Sequence, residues 1–284
     1  MRAYKKILIA SLALALCGPA AAQFGGFKLP IDPSKVLDTA KIFTDKTKEI
    51  DESKEIVIGQ EFAASLLGAK PLLNDPALQR YINTFGRWLA SQSERPDLPW
   101  LFGVLDDEGF NAFATPGGNI FVTKGLLARM HNEAELAGVL SHEIGHVLRK
   151  HYVKAIQKNA VAGFGVDFAA SYINKGPAEL KTFAAGIFKD IYAKGLDKDD
   201  EFEADRVGVV IAARAGFDAY GLPAVLQTLQ AQNSNDRGFT LLFETHPSPT
   251  DRLERLDKLM RSRFESNPGS QGRSFEERFK EFSR

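Results

Sequence analysis

Apolar residues recur every three or four positions in several segments of the chain, the spacing that places them on one face of an α-helix. The segment from Lys54 to Gly68 has this spacing and ends on glycine, a favoured helix stop. Asn74-Asp75-Pro76 supplies a cap and a first-turn proline for a second helix that runs to about Ser93. We predict further helices over Asn132–Gln157, Asp199–Ala215, Pro223–Gln232 and Thr250–Arg261.

Between the second and third of these helices lie three short segments with the apolar and aromatic composition of β-strands. They are Trp100–Leu105, Phe110–Thr115 and Asn119–Thr123. Pro116-Gly117-Gly118 links the last two as a turn. The pattern therefore predicts a mainly helical domain with a small sheet.

The first 22 residues have the organisation of a secretory signal. Three basic residues precede an apolar run of 11 residues, Ile7–Cys17, and an Ala-x-Ala sequence ends at Ala22. A membrane anchor is the alternative, but a spanning helix needs about 20 apolar residues. We therefore predict that residues 1–22 are a signal peptide, cleaved after Ala22, that directs the protein to the periplasm. We expect no transmembrane span in the mature chain.

Removal of the signal changes the charge balance. The chain of 284 residues has 36 basic and 36 acidic residues, and the loss of the three basic residues of the signal leaves 33 against 36. This mildly acidic chain does not have the basic field of a nucleic-acid-binding protein, so we expect no nucleic acid as a partner. The single cysteine, Cys17, excludes an internal disulfide and a multi-cysteine metal site. The bulky Leu16 before it disfavours lipid attachment at Cys17.

Candidate chemistry is concentrated in the sequence His142-Glu143-Ile144-Gly145-His146. Histidines at positions i and i+4 lie one helical turn apart, so both imidazoles can reach one metal ion. Glu143 lies beside them, where it can take a proton from water activated by zinc. Chance spacing on an amphipathic helix is the alternative. We predict His142 and His146 as metal ligands and Glu143 as the general base.

A catalytic zinc site usually takes three protein ligands and one water molecule, so a third ligand is needed. The segment 199–205 offers Glu201 and Asp205, which share a helix face, whereas Glu203 points about 200° away from Glu201. We predict Glu201 as the third ligand and Asp205 as a hydrogen-bond partner behind one of the histidines. A solvated acidic face at a helix start is the alternative.

Four sequence blocks occur in one order along the chain: Asn111 to Gly118, His142 to His146, Glu201 to Asp205, and Thr245-His246-Pro247 followed by Arg252. In this order they resemble the zinc metallopeptidase family that includes CAAX prenyl endopeptidases, HtpX, Oma1 and the periplasmic BepA- and LoiP-type proteases. The soluble periplasmic members are the most similar in kind, because the mature chain has no predicted spanning helix. The resemblance covers most of the chain after the signal.

The resemblance implies roles that spacing alone does not assign. A sheet edge to which an extended substrate peptide adds is implied for Asn111, Ala112, Phe113 and Ala114. His246 is implied as a catalytic residue that assists at the tetrahedral intermediate, and Arg252 as a residue near the site. A plain hairpin and a turn residue before Pro247 are the structural alternatives for the first two.

The fold implied by the resemblance is an α+β, zincin-like metallopeptidase, mainly helical, with a small mixed β-sheet and the metal site between two helices. We expect an N-terminal extension over 23–53, the metallopeptidase domain over 54–265 and a polar C-terminal tail over 266–284. The insert 153–198 is expected to pack as core or to cover the cleft as a lid. His131 and His151 receive no role, His151 because a continuous helix would place it opposite His142.

The implied function is that of a zinc-dependent endopeptidase with one zinc ion per chain. It would hydrolyse misfolded or unassembled cell-envelope proteins in the periplasm of a Gram-negative bacterium, with peripheral contact to the outer-membrane assembly machinery. Two alternatives stay open. One is a metal-stabilised chaperone or outer-membrane assembly factor with weak or gated proteolysis, and the other is a small-molecule metallohydrolase.

Overall fold

The computed structural model describes residues 23–24, 27–28, 50–158, 195–231 and 248–264. The predicted signal peptide, His246, the polar tail and most of the insert 153–198 lie outside these residues. Within the described ranges, no helix has both the length and the apolar composition needed to cross a membrane. Two short antiparallel strands come first among the described residues, β1 (Gln23–Phe24) and β2 (Phe27–Lys28), and the sequence pattern does not predict them.

Two helices with side-chain caps follow. α1 (Glu52–Ala69) begins after Asp51, whose carboxylate accepts a hydrogen bond from the backbone N–H of Lys54. α2 (Pro76–Ala90) begins after Asp75, which caps it as predicted, with the proline in the first turn. The apolar face of α2 packs on the sheet and is buried at Leu78, Ile82, Phe85 and Leu89.

The three predicted strands form one mixed sheet: β3 (Leu101–Leu105), β4 (Ala112–Thr115) and β5 (Asn119–Thr123). Their spatial order is β3-β5-β4, with β3 parallel and β4 antiparallel to β5. Gly117 and Gly118 have φ values of 75° and 101°, which glycine adopts without steric cost in the turn between β4 and β5. β4 therefore lies at one edge of the described sheet.

A buried carboxylate on α1 holds the turn between β4 and β5. Glu55 is fully buried and accepts hydrogen bonds from the backbone N–H of Gly117 at 3.2 Å and from both terminal nitrogens of Arg95 at 3.0 Å. A bidentate guanidinium fixes the orientation of the carboxylate. The edge of the sheet is thus positioned by a helix that lies outside it.

The single long helix predicted over Asn132–Gln157 is wrong in one respect, because the structure interrupts it. α4 (Glu133–Leu148) is buried at every residue. The chain then turns at Arg149–Lys150, and a separate helical segment follows over 151–158.

The interruption depends on the backbone of Lys150. This residue has a φ of 55°, in the left-handed region that residues other than glycine seldom adopt. Its ammonium group donates to the carbonyl oxygen of Ile50 at 3.2 Å and lies 3.7 Å from Oε2 of Glu55. Contacts with residues distant in sequence therefore stabilise a turn that the local sequence pattern does not predict.

Four helices complete the described fold: α3 (Lys124–Leu127), α5 (Lys198–Arg214), α6 (Gly221–Ala231) and α7 (Pro249–Phe264). α4 lies at the centre, because it packs on β4, β5 and α2 on one side and most extensively on α5 and α6 on the other. The expected architecture, mainly helical with a small mixed sheet, is confirmed.

Two glycines allow α4 and α5 to approach closely. A Cβ atom on Gly208 would lie 2.8 Å from the backbone nitrogen of His142. A Cβ atom on Gly145 would lie 3.0 Å from the carbonyl oxygen of Ala204. Because the predicted metal ligands lie on these two helices, the glycines set the distance across which those ligands meet.

We expect Gly208→Ala to lower the free energy of unfolding by about 1–3 kcal/mol, the usual effect of an extra methyl group in a packed interior. Gly68→Ala is the matched control, because nothing lies within 4 Å of its Cβ position. Alanine there should favour the helix by up to ~1 kcal/mol. Urea unfolding followed by circular dichroism measures both variants. Equal stability of the two would contradict the close packing of α4 on α5.

Candidate active site

The two histidines predicted as ligands lie on α4 and face each other. His142 and His146 are 4% and 0% exposed, and their Nε2 atoms are 3.0 Å apart. Because an α-helix completes a turn in 3.6 residues, the i, i+4 spacing places both rings on the side of α4 that packs on α5. The nitrogens thus converge on one point between the two helices.

Glu201 extends from the first turn of α5 into the same space. The side chain is fully buried, with Oε2 at 3.6 Å from His142 Nε2 and Oε1 at 3.5 Å from His146 Nε2. The alternative for this segment, a solvated acidic helix face, does not hold for Glu201 because its carboxylate is buried. Glu203, which helix geometry separates from Glu201, contacts His151 instead.

The spacing of these donor atoms fits a tetrahedral zinc site. Ligand atoms that lie about 2.0–2.1 Å from a tetrahedral zinc ion are separated from one another by about 3.3–3.4 Å. Here the two imidazole nitrogens are 3.0 Å apart, and Glu201 approaches His142 Nε2 with Oε2 at 3.6 Å and His146 Nε2 with Oε1 at 3.5 Å. Two imidazole nitrogens and one carboxylate oxygen are also a ligand set of catalytic zinc. His142, His146 and Glu201 therefore form a group that could hold a metal ion.

A buried ion pair lies behind His142. Asp205 Oδ1 is 2.9 Å from His142 Nδ1, so the Nδ1–H donates to the carboxylate and Nε2 is the nitrogen available to a metal. Arg252 of α7 donates to the same carboxylate from Nε at 2.9 Å and from Nη2 at 2.5 Å. This bidentate contact fixes the orientation of Asp205. Asp205 thus lies directly behind His142, and Arg252 lies behind Asp205.

The electrostatics of this group favour positive charge. Burial alone would raise the pKa of Asp205, but the charge of Arg252 and the hydrogen bonds from Arg252 and His142 lower it to about 2. Burial and the charge of Arg252 act to lower the pKa of His142, yet hydrogen bonds with Asp205 and Glu201 raise it to about 9. A group of carboxylates that attracts a proton this strongly also suits a metal cation.

Glu143 follows His142 on α4 and is 2% exposed. Both residues line a small pocket that is mainly apolar. The walls of the pocket include Leu222, Val225, Leu226 and Leu229 of α6, together with Asn111 and Ala112. The pocket thus places apolar residues of α6 next to Glu143, the general base predicted from the sequence.

The four residues predicted to bind substrate have different surroundings. Asn111 and Ala112 line the pocket beside Glu143. Phe113 packs in a separate apolar cluster with residues of α1, and Ala114 belongs to the main core. Of these four residues, Asn111 and Ala112 therefore line the pocket, whereas Phe113 and Ala114 pack in the interior.

The interpretation of His151 as a residue opposite the site is wrong, because the helix does not continue through Lys150. The turn at Arg149–Lys150 brings His151 behind His146, where it is fully buried and its Nδ1 lies 3.0 Å from His146 Nδ1. The signal that could have located it is the turn itself, and neither glycine nor proline marks that turn.

Two histidines remain, His131 and His246. The side chain of His131 is 70% exposed and its Nδ1 lies 3.1 Å from Glu135 Oε1, in keeping with a loop residue before α4. His246 lies outside the described residues, so its role at the tetrahedral intermediate stays a prediction.

Comparisons with known proteins agree with this geometry. A family model described as Peptidase family M48 matches residues 76–260. The chain is 33% identical to the beta-barrel assembly-enhancing protease of Escherichia coli O157:H7 over 263 residues, which cover 89% of this chain and 52% of that relative. It is 28% identical to the mitochondrial metalloendopeptidase OMA1 of Arabidopsis thaliana over 211 residues, which cover 74% and 42% of the two chains. The chain spans about half the length of these curated relatives.

The range matched by the family model contains all the residues of the candidate metal group. It begins at the first residue of α2 and ends within α7, after Arg252. The resemblance inferred from the four sequence blocks is therefore confirmed. The chain belongs to Peptidase family M48.

Proposed function

We propose that this chain is a zinc-dependent endopeptidase that hydrolyses misfolded or unassembled proteins of the cell envelope. The observation that carries the proposal is the convergence of His142, His146 and Glu201 on one buried point, with Glu143 beside it. Family membership supports peptide hydrolysis as the reaction. The apolar pocket next to Glu143 supports a peptide as the substrate in preference to a small polar molecule.

One zinc ion per chain is proposed, held by His142, His146 and Glu201. Bound there, zinc supplies a Lewis acid that polarises the scissile carbonyl group and lowers the pKa of a water molecule to about 7. Asp205 and Arg252 keep His142 in the orientation and tautomer that a ligand requires. Glycines at the contact of α4 with α5 keep the two sets of ligands at the right separation.

Glu143 is proposed as the general base. Its carboxylate accepts the proton of the attacking water and then donates that proton to the leaving amine nitrogen. The residue is almost fully buried, so its proton transfers take place away from bulk solvent. His246 is proposed to donate a hydrogen bond to the oxyanion of the tetrahedral intermediate.

Substrate binding is proposed to use the edge of the sheet. β4 lies at that edge and packs against α4, so a peptide added alongside β4 would run past Glu143. Hydrogen bonds to a strand edge involve only the backbone of the peptide, which favours loose sequence preference and an unfolded substrate. An apolar side chain of the substrate would occupy the pocket lined by α6.

A periplasmic location is proposed from the signal-like residues 1–22 and from the name of the bacterial relatives, which refers to β-barrel assembly. That name also favours the second candidate function, an assembly factor or chaperone that uses the metal for stability and cleaves weakly. In either case unassembled envelope proteins are the proposed partners.

Cleavage of casein by the purified protein separates the two functions. We expect zinc-loaded protein to degrade casein, 1,10-phenanthroline to stop the degradation, and added zinc to restore it, because the chelator competes for the metal that polarises the carbonyl group. Gel electrophoresis at several times measures the products. Binding of casein without products, at every zinc concentration tested, would favour the assembly factor.

A further inference from the structure

Behind His146 lies a chain of polar contacts to which the proposed reaction assigns no role. His151 Nδ1 is 3.0 Å from His146 Nδ1, and His151 Nε2 is 3.3 Å from Glu203 Oε2 and 3.4 Å from Asp200 Oδ1. His151 is fully buried, and both carboxylates are only partly exposed. These polar contacts thus lead from His146, one of the candidate metal ligands, to the outer face of α5.

The chemistry of the carboxylates decides where the protons are. An ionised carboxylate only accepts hydrogen bonds, so His151 Nε2 carries a hydrogen that it donates to Glu203 or Asp200. Neutral imidazole then has a lone pair on Nδ1, which accepts the hydrogen of His146 Nδ1. His146 Nε2, the atom that faces His142 and Glu201, is left as the nitrogen that can bind a metal.

The surroundings of Glu203 favour this arrangement over a second cation site. Its other oxygen, Oε1, lies 3.3 Å from Arg149 Nε and 3.5 Å from Arg206 Nη2. Two guanidinium groups thus already contact this carboxylate, one of them shared with Glu94, and Glu203 serves as a hydrogen-bond acceptor. The arrangement parallels that of Asp205, which accepts directly from His142.

We propose that His151 is a positioning residue that orients His146 as a metal ligand. His151 is itself held by its hydrogen bond to the α5 carboxylates, and it fixes the His146 ring by accepting a hydrogen bond from it. The proposal rests on the metal site proposed above. Helix α5 would then hold both ligand imidazoles from behind, His142 through Asp205 and His146 through His151. The left-handed turn at Lys150 places the imidazole of His151 between His146 and the α5 carboxylates.

The test is the affinity of the purified protein for zinc, measured by competition with a chromophoric chelator. His151→Leu removes the acceptor and keeps an apolar side chain of similar size, and we expect affinity to fall about 10–100-fold. His151→Asn restores a carbonyl oxygen near the position of Nδ1 and should recover most of the loss. The absorption spectrum of the cobalt-substituted protein should shift in His151→Leu and return towards the wild-type spectrum in His151→Asn.

Equal affinities of wild type and His151→Leu would overturn the proposal, as would equal losses in the leucine and asparagine variants. If His151→Leu does not fold, the double variant Asp200→Ala/Glu203→Ala, which removes both acceptors of the His151 Nε2–H, decides. A loss of zinc affinity there supports the proposal, and an unchanged affinity overturns it. Asp199→Asn, with a side chain 93% exposed on the same helix, is the control that should bind zinc as wild type does. The two proposals fail in different measurements. If the role of His151 is wrong, the wild-type protein still cleaves casein, whereas if the proposed function is wrong, the wild-type protein does not cleave casein.

Discussion

Replacement of Glu143 by glutamine is expected to lower the rate of casein cleavage by about 10²–10⁴-fold, the usual contribution of a general base. Glutamine has nearly the same shape, but its amide cannot accept the proton of the attacking water. Zinc content should stay at the wild-type value, because Glu143 is not one of the three convergent donors. Initial rates at saturating casein, together with metal analysis of the same samples, measure the two quantities.

Glu135→Gln provides the matched control for this variant. Glu135 lies on the same helix, two turns before Glu143, and accepts a hydrogen bond from the backbone N–H of His131 at 2.8 Å. Per folded molecule, this variant should cleave casein at the wild-type rate. Cleavage by Glu143→Gln within a few-fold of wild type would contradict the role given to Glu143.

Removal of the positive charge of Arg252 is expected to have the largest effect on stability. Arg252→Met leaves Asp205 and Glu201 buried close together without the guanidinium that contacts the first at 2.5 Å and approaches the second to 3.9 Å. Breaking a buried ion pair from one side generally costs about 3–5 kcal/mol. Urea unfolding of zinc-free protein should show a loss of this size. Zinc-loaded protein should lose less, because the bound cation offsets part of the uncompensated charge.

Two further variants define the origin of that loss. Arg255→Met is on the same helix, but its side chain is 59% exposed and its guanidinium lies over the ring of Phe202 at 3.7 Å. Loss of that contact should cost no more than about 1 kcal/mol. Asp205→Asn combined with Arg252→Met should be more stable than Arg252→Met alone, since it removes one of the unpaired charges. Equal losses in Arg252→Met and Arg255→Met would contradict the buried ion pair.

The candidate ligand group could be predicted from the sequence because all of its members lie on helices with regular spacing. The period of the helix places His142 and His146 on one face, and it selects Glu201 over Glu203 for the same face of α5 as Asp205. Since α4 and α5 are continuous through these residues, local periodicity carried over directly to the site.

The position of His151 could not be predicted for the opposite reason. The prediction extended the helix through Lys150, whereas the backbone of this residue leaves the helix in a left-handed conformation. The contacts of Lys150 with Ile50 and Glu55 come from a segment about a hundred residues earlier, and single-sequence patterns do not contain them. The pocket wall from α6 depends in the same way on tertiary packing.

Metal analysis of the purified protein tests whether His142, His146 and Glu201 together hold one zinc ion. Wild type, Glu201→Gln and Asp199→Asn are dialysed against the same weak chelator and analysed by inductively coupled plasma mass spectrometry. We predict about one zinc ion per chain in wild type and in Asp199→Asn, and close to none in Glu201→Gln. Full zinc content in Glu201→Gln, or the absence of zinc from wild type, would contradict a zinc site formed by these three ligands.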